Sequence, residues 1–385
     1  SDSGELDSVE SVDCKPIVDA CTLCDMCFLT KCPYVPPHEF NLDFPHLMLR
    51  YRAIEFKKGE VGLTTKELTK TDRNGKLLGA VSPIANWASD TSNSLTRGAL
   101  EMTTKVHREA ALPKFHKNSF VSLTEKHKPD VNEDAPAFGR KAVIYATCFV
   151  NYNNPDIGNS ALSVLALNGV DTQVAYPSCC GMPQLEHGNI EEVAAAAKKV
   201  AAELKTFIDE GRDIIALTPS CALMLKFEWP LIVPDDADVK ALAASTYDID
   251  EYVVDIAKKE GLTPGLKPLD GNVALHQACH SRAQNFGQKS AEMLNFIPDL
   301  SLNVIERCSG HGGSWGMMKD NFKTAIKVGK PAARQASKAN PKYVVSGCPL
   351  AGEHILQGID FLGGSDKRPK NANHPIEILA KAYNL

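Results

Sequence analysis

The sequence predicts an α/β fold in which one parallel-sheet unit occurs twice, behind a smaller helical segment. Three observations carry that reading. From Lys141 onward short apolar runs alternate with amphipathic helical stretches, the pattern of βαβ units. Each short run leads into a cysteine: Ala142–Ala146 precedes Cys148, Val174–Tyr176 precedes Cys179-Cys180, and Ile214–Leu217 precedes Cys221. The order then returns, with Val273–His276 before Cys279, Leu302–Ile305 before Cys308-Ser309-Gly310, and Tyr343–Val345 before Cys348. The spacings are 31 and 41 in the first copy (Cys148 to Cys179, Cys180 to Cys221) and 29 and 39 in the second (Cys279 to Cys308, Ser309 to Cys348). The same offset in both intervals marks an internal duplication.

Composition narrows the class. A chain of 385 residues with 43% hydrophobic and 23% charged residues has ample material for buried cores and more than one domain. A net charge of −5 offers no basic face to nucleic acid. No stretch approaches the ~18 uninterrupted apolar residues of a membrane span. The 12 cysteines fall in three tight constellations separated by long cysteine-free stretches. That pattern favours reduced thiolates on metal, in the cytoplasm or at the inner face of a membrane, over a secreted disulfide framework.

In chain order, residues 1–110 read as a small iron–sulfur module, 111–140 as a linker, 141–268 as the first cysteine-bearing domain and 269–385 as the second. Residues 1–13 are acidic and read as a mobile lead-in, and Cys14 reads as a buried or free thiol. Then comes Cys21-Thr-Leu-Cys24-Asp-Met-Cys27-Phe-Leu-Thr-Lys-Cys32-Pro33. Cysteines at every third position can wrap one corner of a cubane cluster. The run resembles the bacterial ferredoxin pattern C-x2-C-x2-C-x3-C-P, whose last cysteine serves the other cluster of a pair. It departs from that pattern by one extra residue between Cys27 and Cys32. Zinc, which prefers paired C-x2-C knuckles, is the alternative. The ferredoxin arrangement needs partners for these cysteines. Three sources stay open: the chain begins inside a two-cluster module, Cys32 closes a single cluster, or Cys14 contributes. Pro45–Arg52, Leu78–Trp87 and Thr96–Val106 read as helices that hold this module. Residues 111–140, rich in Lys, His, Pro, Asn and Asp, show little periodicity.

Within 141–268 a short helix is expected over Asn159–Asn168, with Ser160-Ala161-Leu162 at its start, and a long one over Ile190–Asp209. Gly/Asn turns precede both. Residues 231–268 read as a partly helical insertion, with Thr246–Glu260 the expected helix.

Two cysteine-rich "CCG" units behind a ferredoxin-like segment resemble the iron–sulfur subunits related to heterodisulfide reductase. The C subunit of anaerobic glycerol-3-phosphate dehydrogenase and subunits of glycolate and lactate oxidation carry the same modules. The resemblance runs from about Cys21 to near the end of the chain. It implies two duplicated Rossmann-like parallel-sheet CCG domains behind a small α-helical ferredoxin-like module. It also implies [4Fe-4S] clusters: one or two in the N-terminal module, one held by the CCG cysteines of the first site, and up to one at the second.

The departures matter. The family signature often ends in C-x-x-C, but here Cys221 is followed by Ala-Leu-Met224 and Cys348 by Pro-Leu-Ala351. The first site therefore has four thiolates, Cys148, Cys179, Cys180 and Cys221, enough for one ordinary [4Fe-4S] cluster. The second keeps Cys279, Cys308 and Cys348, with Ser309 in place of the second cysteine of the pair. It could leave an iron open, accept Ser309, His280 or His311 as fourth ligand, or hold no cluster. Both histidines can instead serve as hydrogen-bonding groups around the ligands. The glycines of Cys308–Gly316 would let backbone approach a cluster closely and aim N–H groups at its sulfurs. No P-loop lysine and no strand-borne G-x-G-x-x-G is present, so no nucleotide or flavin is expected on this chain. A Cys279-His280 nucleophile is possible on paper, but adjacency in sequence does not bring the two side chains together.

Two active functions and one passive one follow. In the first, the chain is an electron-transfer subunit working between a flavoprotein dehydrogenase, another redox protein or a quinone-linked membrane complex, and a terminal acceptor. In the second, Ser309 and His311 form a catalytic site for disulfide or peroxide-linked reduction at the incomplete copy. In the third, zinc-stabilised CCG units act as a scaffold.

Overall fold

The computed structural model describes residues 9–30, 32–126 and 128–385. It is a mixed α/β protein with two parallel sheets. In the first sheet β1 (Lys141–Tyr145), β2 (Asp171–Ala175), β3 (Asp213–Ala216) and β4 (Thr246–Asp248) lie in the order β2-β1-β3-β4. In the second, β5 (Val273–His276), β6 (Leu302–Ile305) and β7 (Tyr343–Ser346) lie in the order β6-β5-β7. The duplicated strands therefore share one topology, and the first copy adds β4 at its edge.

Register decides where the cysteines go. Tyr145, at the end of β1, lies opposite Ala175 on β2 and Ala216 on β3. His276, at the end of β5, lies opposite Ile305 on β6 and Ser346 on β7. The three strands of each copy thus end level, and the residues that follow leave from one edge of the sheet, where open α/β folds place their sites.

The helices bury the sheets. The 190–209 helix spans Ile190–Asp209 as expected, capped by Asn189 Oδ1, which accepts from Glu192 N–H. The expected Asn159–Asn168 helix begins earlier, at Pro155. Proline suits a first helical turn because its missing N–H would have no partner there. Gly158 in that helix faces Phe120: a Cβ there would lie 2.5 Å from its ring. The expected Thr246–Glu260 helix is shortened to Ile249–Lys259, because Thr246–Asp248 pair with β3 as β4. The Asp248 side chain then caps the helix, accepting from Asp250 N–H, so the helix cannot start before it.

The N-terminal region is helical: Phe44–Lys57, Leu63–Leu68, Thr71–Ala80, Ser82–Ala88 and Ser94–Thr104. The run expected over Leu78–Trp87 is two helices, broken at Val81, with Pro83 in the first turn of the second. Of the lead-in, residues 1–8 lie outside the described residues, and Ser11–Cys14 form a 3₁₀ turn. Between the N-terminal helices and the sheets, the described residues of 111–140 hold one short helix, Phe120–Thr124, with Phe120 fully buried.

One hydrophobic core spans both copies. It joins Ile144, Val170 and Ile215 of the first with Leu275, Val345 and Leu379 of the second. The N-terminal helices also reach across. Val106 bridges Met318 in antiparallel sense, with His107 N–H donating to Met317 O at 2.8 Å and Lys319 N–H to Lys105 O at 2.8 Å. Among the described residues no helix is long and apolar enough to cross a membrane.

Because Phe120 seats residues 111–140 into the shared core, Phe120→Ala is expected to cost about 3–5 kcal/mol through the cavity it leaves. Chemical denaturation at fixed redox state measures this; a shift below about 1 kcal/mol would show that the segment is an independent linker.

Candidate metal centre

The first site forms where β1, β2 and β3 end. Cys148 opens a short helix capped by Thr147, whose Oγ accepts Val150 N–H at 3.3 Å. Cys179 and Cys180 lie on the turn after β2, and Gly181 takes φ +82, a conformation glycine adopts without a Cβ clash. Cys221 sits in the first turn of Pro219–Leu223. Cys179, Cys180 and Cys221 are buried and Cys148 is half-buried, and none of the four is in a disulfide.

The sulfurs meet in pairs. Cys179 Sγ lies 3.7 Å from Cys148 Sγ, and Cys180 Sγ 3.2 Å from Cys221 Sγ. Among the described residues no three His, Cys, Asp or Glu side chains are placed to hold a single metal ion. Cys179 is the thiol most ready to ionise. The Cys148 and Cys180 thiols and the Gly181 N–H favour its charged form, and its pKa is held well below the usual thiol value. Cys148 and Cys180 are pushed well above it, as hydrogen-bonding partners of a neighbouring sulfur in a buried place.

Residues outside the cysteine pattern complete the pocket. Asp72, on the Thr71–Ala80 helix, accepts Cys179 N–H through Oδ2 at 2.9 Å and the Tyr176 hydroxyl through Oδ1. Burial raises its carboxyl above the usual range. Gly75 on the same helix lets it press onto Tyr152, whose ring would lie 2.4 Å from any Cβ there. Trp229 Nε1 donates to Cys180 O at 3.1 Å, and Tyr145 OH donates to Ser178 O at 2.6 Å.

The residues fit an iron–sulfur cluster on two counts. The donor set is four unbridged cysteines from three strand ends, the ligation such clusters use. Two buried hydroxyls at this site, Thr71 Oγ1 and Ser178 Oγ, have no hydrogen-bond partner. Unpaired buried donors carry a cost, and a sulfide-rich group in the pocket would accept from them.

The second site repeats the backbone but not the thiols. Gly310 takes φ +80, matching Gly181, and its α-carbon abuts the Phe322–Lys338 helix, where an added Cβ would lie 2.1 Å from Ala325 O. Cys308 is exposed, and its Sγ accepts Gly310 N–H at 3.3 Å. Cys279 and Cys348 are half-buried. Ser309 is buried, with Oγ accepting His311 N–H at 3.4 Å. His311 is held neutral, its pKa brought down to about 3 by burial and by the neighbouring His354. His280 Nε2 lies 3.2 Å from Leu23 O.

The N-terminal cysteines lie against both sites. Cys21 packs onto the core that contains Cys179, Cys180 and Cys221. Arg52 fixes this segment: its guanidinium donates to Val18 O at 2.6 Å, to Cys21 O, and to Glu186 O of the first copy at 2.9 Å. Cys24, Cys27 and Cys32 are half-buried, and Cys32 N–H donates to Cys27 O at 2.9 Å. Cys14 is half-buried and unbridged.

No pattern in the residues pointed to Asp72, Thr71 or Trp229. Asp72 stands in the polar run Lys70–Asn74, which reads as a solvated helix start, and only tertiary packing turns it onto Cys179.

Comparison with known proteins agrees with this geometry. The family model of the cysteine-rich domain (CCG) matches twice, at residues 142–226 and 273–352. The chain is 27% identical over 325 residues to the C subunit of the anaerobic glycerol-3-phosphate dehydrogenase of Escherichia coli (strain K12), covering 82% of this chain and 76% of that one. It is 27% identical over 252 residues to the B subunit of the fumarate reductase (CoM/CoB) of Methanothermobacter marburgensis, covering 64% of this chain and 47% of the relative. It is also 27% identical over 270 residues to an uncharacterized iron–sulfur protein of Methanocaldococcus jannaschii, covering 68% and 51%. The chain carries two cysteine-rich CCG domains and is homologous to these oxidoreductase subunits and iron–sulfur proteins.

An ion pair near the site gives a pH test. His46 Nε2 lies 3.1 Å from Glu228 Oε2, and its Nδ1 lies 2.7 Å from Asp43 Oδ2. The Glu228 bond holds the imidazolium, raising its pKa from 6.5 to about 9. A raised folded pKa stabilises the fold below the unfolded value and loses that contribution as pH climbs. Thermal midpoints of the parent are therefore expected to fall between about pH 6.5 and 9, and those of His46→Gln to lose that part of the slope. Equal slopes in the two proteins would show that the pair is not coupled to folding.

Proposed function

We propose that this chain is an iron–sulfur electron-transfer subunit of an oxidoreductase complex, with a [4Fe-4S] cluster at Cys148, Cys179, Cys180 and Cys221. The observation that carries the reading is the gathering of four free thiols, in two close pairs, at the level ends of three parallel strands. The relatives point the same way, being a dehydrogenase subunit, a reductase subunit and an iron–sulfur protein. When bound, such a cluster supplies one-electron storage at a potential set by charge, hydrogen bonding and solvent access.

The chain's own residues address each of those levers. Burial of Cys179, Cys180 and Cys221 keeps water away. Cys179 N–H is committed to Asp72, so that hydrogen bond is not available to a sulfide. Thr71 and Ser178 carry the spare hydroxyls. Tyr145, Tyr152 and Tyr176 wall one side, with ring centroids of neighbouring pairs 6.0 and 5.9 Å apart.

The finer parts of the reading are that Cys21, Cys24, Cys27 and Cys32 serve an N-terminal cluster region and that the redox partner is a flavoprotein dehydrogenase or a quinone-linked membrane complex. The chain would then work in the cytoplasm or at the inner membrane face. The half-buried state of the N-terminal cysteines, which leaves them within reach of a docked partner, supports an entry point for electrons there.

Anaerobic reconstitution tests the core claim. The parent is expected to bind iron and acid-labile sulfide in equal amounts with broad visible absorption, and Cys180→Ser to lose about four irons per chain, one cluster's worth. Stoichiometric zinc with no sulfide would overturn the reading in favour of a scaffold.

Asp72 gives a second test. Removing a negative charge beside the cluster favours the reduced form, so Asp72→Asn is expected to raise the midpoint potential in an anaerobic redox titration followed by EPR. An unchanged or lower potential would remove Asp72 from the tuning of this site.

A further inference from the structure

The helix Phe322–Lys338 carries Lys323, Lys327, Lys330, Arg334 and Lys338 and no acidic residue. Steps of four, three, four and four put these cations on one face of the helix, and all of them are exposed. Among the described residues none of them makes an ion pair or a hydrogen bond. The net charge of −5 averages over this basic row, which is about 22 Å long.

The duplication supplies a control. Ile190–Asp209 is the same connection in the first copy, between β2 and β3 as Phe322–Lys338 is between β6 and β7. It mixes Glu191, Glu192, Glu203 and Asp209 with Lys198, Lys199 and Lys205. Lys205 pairs with Asp209 at 2.6 Å and Lys199 with Glu203 at 3.9 Å. That is how a merely solvated helix face is built. In the second copy each cation along the row repels the next, which weakens the helix, so folding does not account for the row.

The buried side of the same helix lies on the second site. A Cβ at Gly310 would lie 2.1 Å from Ala325 O, and one at Gly329 2.1 Å from Ser309 O. The basic face is therefore about one helix diameter, roughly 10–12 Å, from the turn that carries Cys308 and Ser309. At the head of the row Phe361, 51% exposed, lies against Phe322 with ring centroids 6.0 Å apart. Aromatic side chains of this kind anchor protein interfaces. Phe322, Ala325, Ala332, Ala333 and Ala336 are buried in the protein, so the helix has no free apolar face to lay into a lipid surface.

We propose that this basic face docks a redox protein through an acidic surface patch and so brings that partner to the second site. The proposal rests on the electron-transfer reading above and names the side on which a partner sits. Acidic groups on the partner would offset the repulsion along the row and steer the encounter.

Flavodoxin, an acidic one-electron flavoprotein, is the probe. Its affinity for the full chain is measured by calorimetry at low and high salt. Its anionic hydroquinone is then mixed in stopped flow with the anaerobically reconstituted chain. Each transfer takes one electron from the hydroquinone, leaves the neutral semiquinone without releasing a proton, and reduces one cluster by one electron. Affinity and rate should both fall about tenfold from low to high salt. Lys327→Gln/Lys330→Gln/Arg334→Gln should lose about the same factor at low salt and most of the salt dependence. Its thermal midpoint should not fall, since the change removes repulsion, and this excludes a folding artefact. Lys198→Gln/Lys199→Gln/Lys205→Gln in the first copy removes as much charge and should leave both readouts within about twofold. A second-copy variant no weaker than the first-copy variant would overturn the proposal. So would a parent that does not bind flavodoxin, or one that binds duplex DNA or anionic phospholipid vesicles more tightly at the same salt. A chain that binds flavodoxin as expected but holds no iron would overturn the electron-transfer reading and leave the docking face standing.

Discussion

Everything in this protein follows from the level ends of parallel strands. A parallel register sets neighbouring strands in step, so Tyr145, Ala175 and Ala216 finish side by side and the next residues of each strand must leave through one edge. Cysteines placed just after those ends have nowhere to go except toward each other. Gathering unpaired thiols in a buried place is costly, since any charge they carry is poorly solvated. The surroundings show how the cost is managed: Asp72 takes the Cys179 amide, Trp229 takes the Cys180 carbonyl, and the Thr71 and Ser178 hydroxyls are left buried without a protein partner.

The two copies use the same backbone for different ends. Gly181 and Gly310 hold the same left-handed turn, at φ +82 and +80, and each lies against the helix that follows. The turn was therefore kept where the thiol of Cys180 gave way to the hydroxyl of Ser309. The loop after it, Gly310–Gly316, does not stand free. Gly313 packs so tightly on Glu186 of the first copy that a Cβ would lie 2.0 Å from Oε1, and His187 Nε2 lies 3.2 Å from Ser314 Oγ. The copies face each other through their cysteine-bearing edges, with the N-terminal turn wedged between. A single core running through both sheets keeps that arrangement fixed.

Much of this was legible in the residues. The alternation from Lys141, the paired spacings and the Gly after both Cys179-Cys180 and Cys308-Ser309 implied a duplicated parallel α/β unit, and the register bears it out. The Ile190–Asp209 helix could be read to its ends because Asn189 caps it and its apolar face is periodic. Boundaries failed where a tertiary contact overrode the local signal: Thr246–Asp248 became strand because β3 had an open edge, and the 155–167 helix starts at Pro155 while its Gly158 meets Phe120. Asp72 could not be found at all, because a carboxylate among Lys70, Arg73 and Asn74 looks like any exposed helix start.

By itself the sequence determined the repeat and its thiol content: how many cysteines each copy owns, and that each follows a buried strand. These are properties of spacing and residue type, which the one-dimensional chain states outright. Only the tertiary structure decided which elements from outside the repeats reach each site. Asp72 and Thr71 arrive at the first site over a hundred positions from Cys179, and the Thr22–Asp25 turn arrives at the second more than two hundred and fifty from Cys279. Such contacts depend on how helices and turns pack against a finished sheet edge, and no local pattern encodes that.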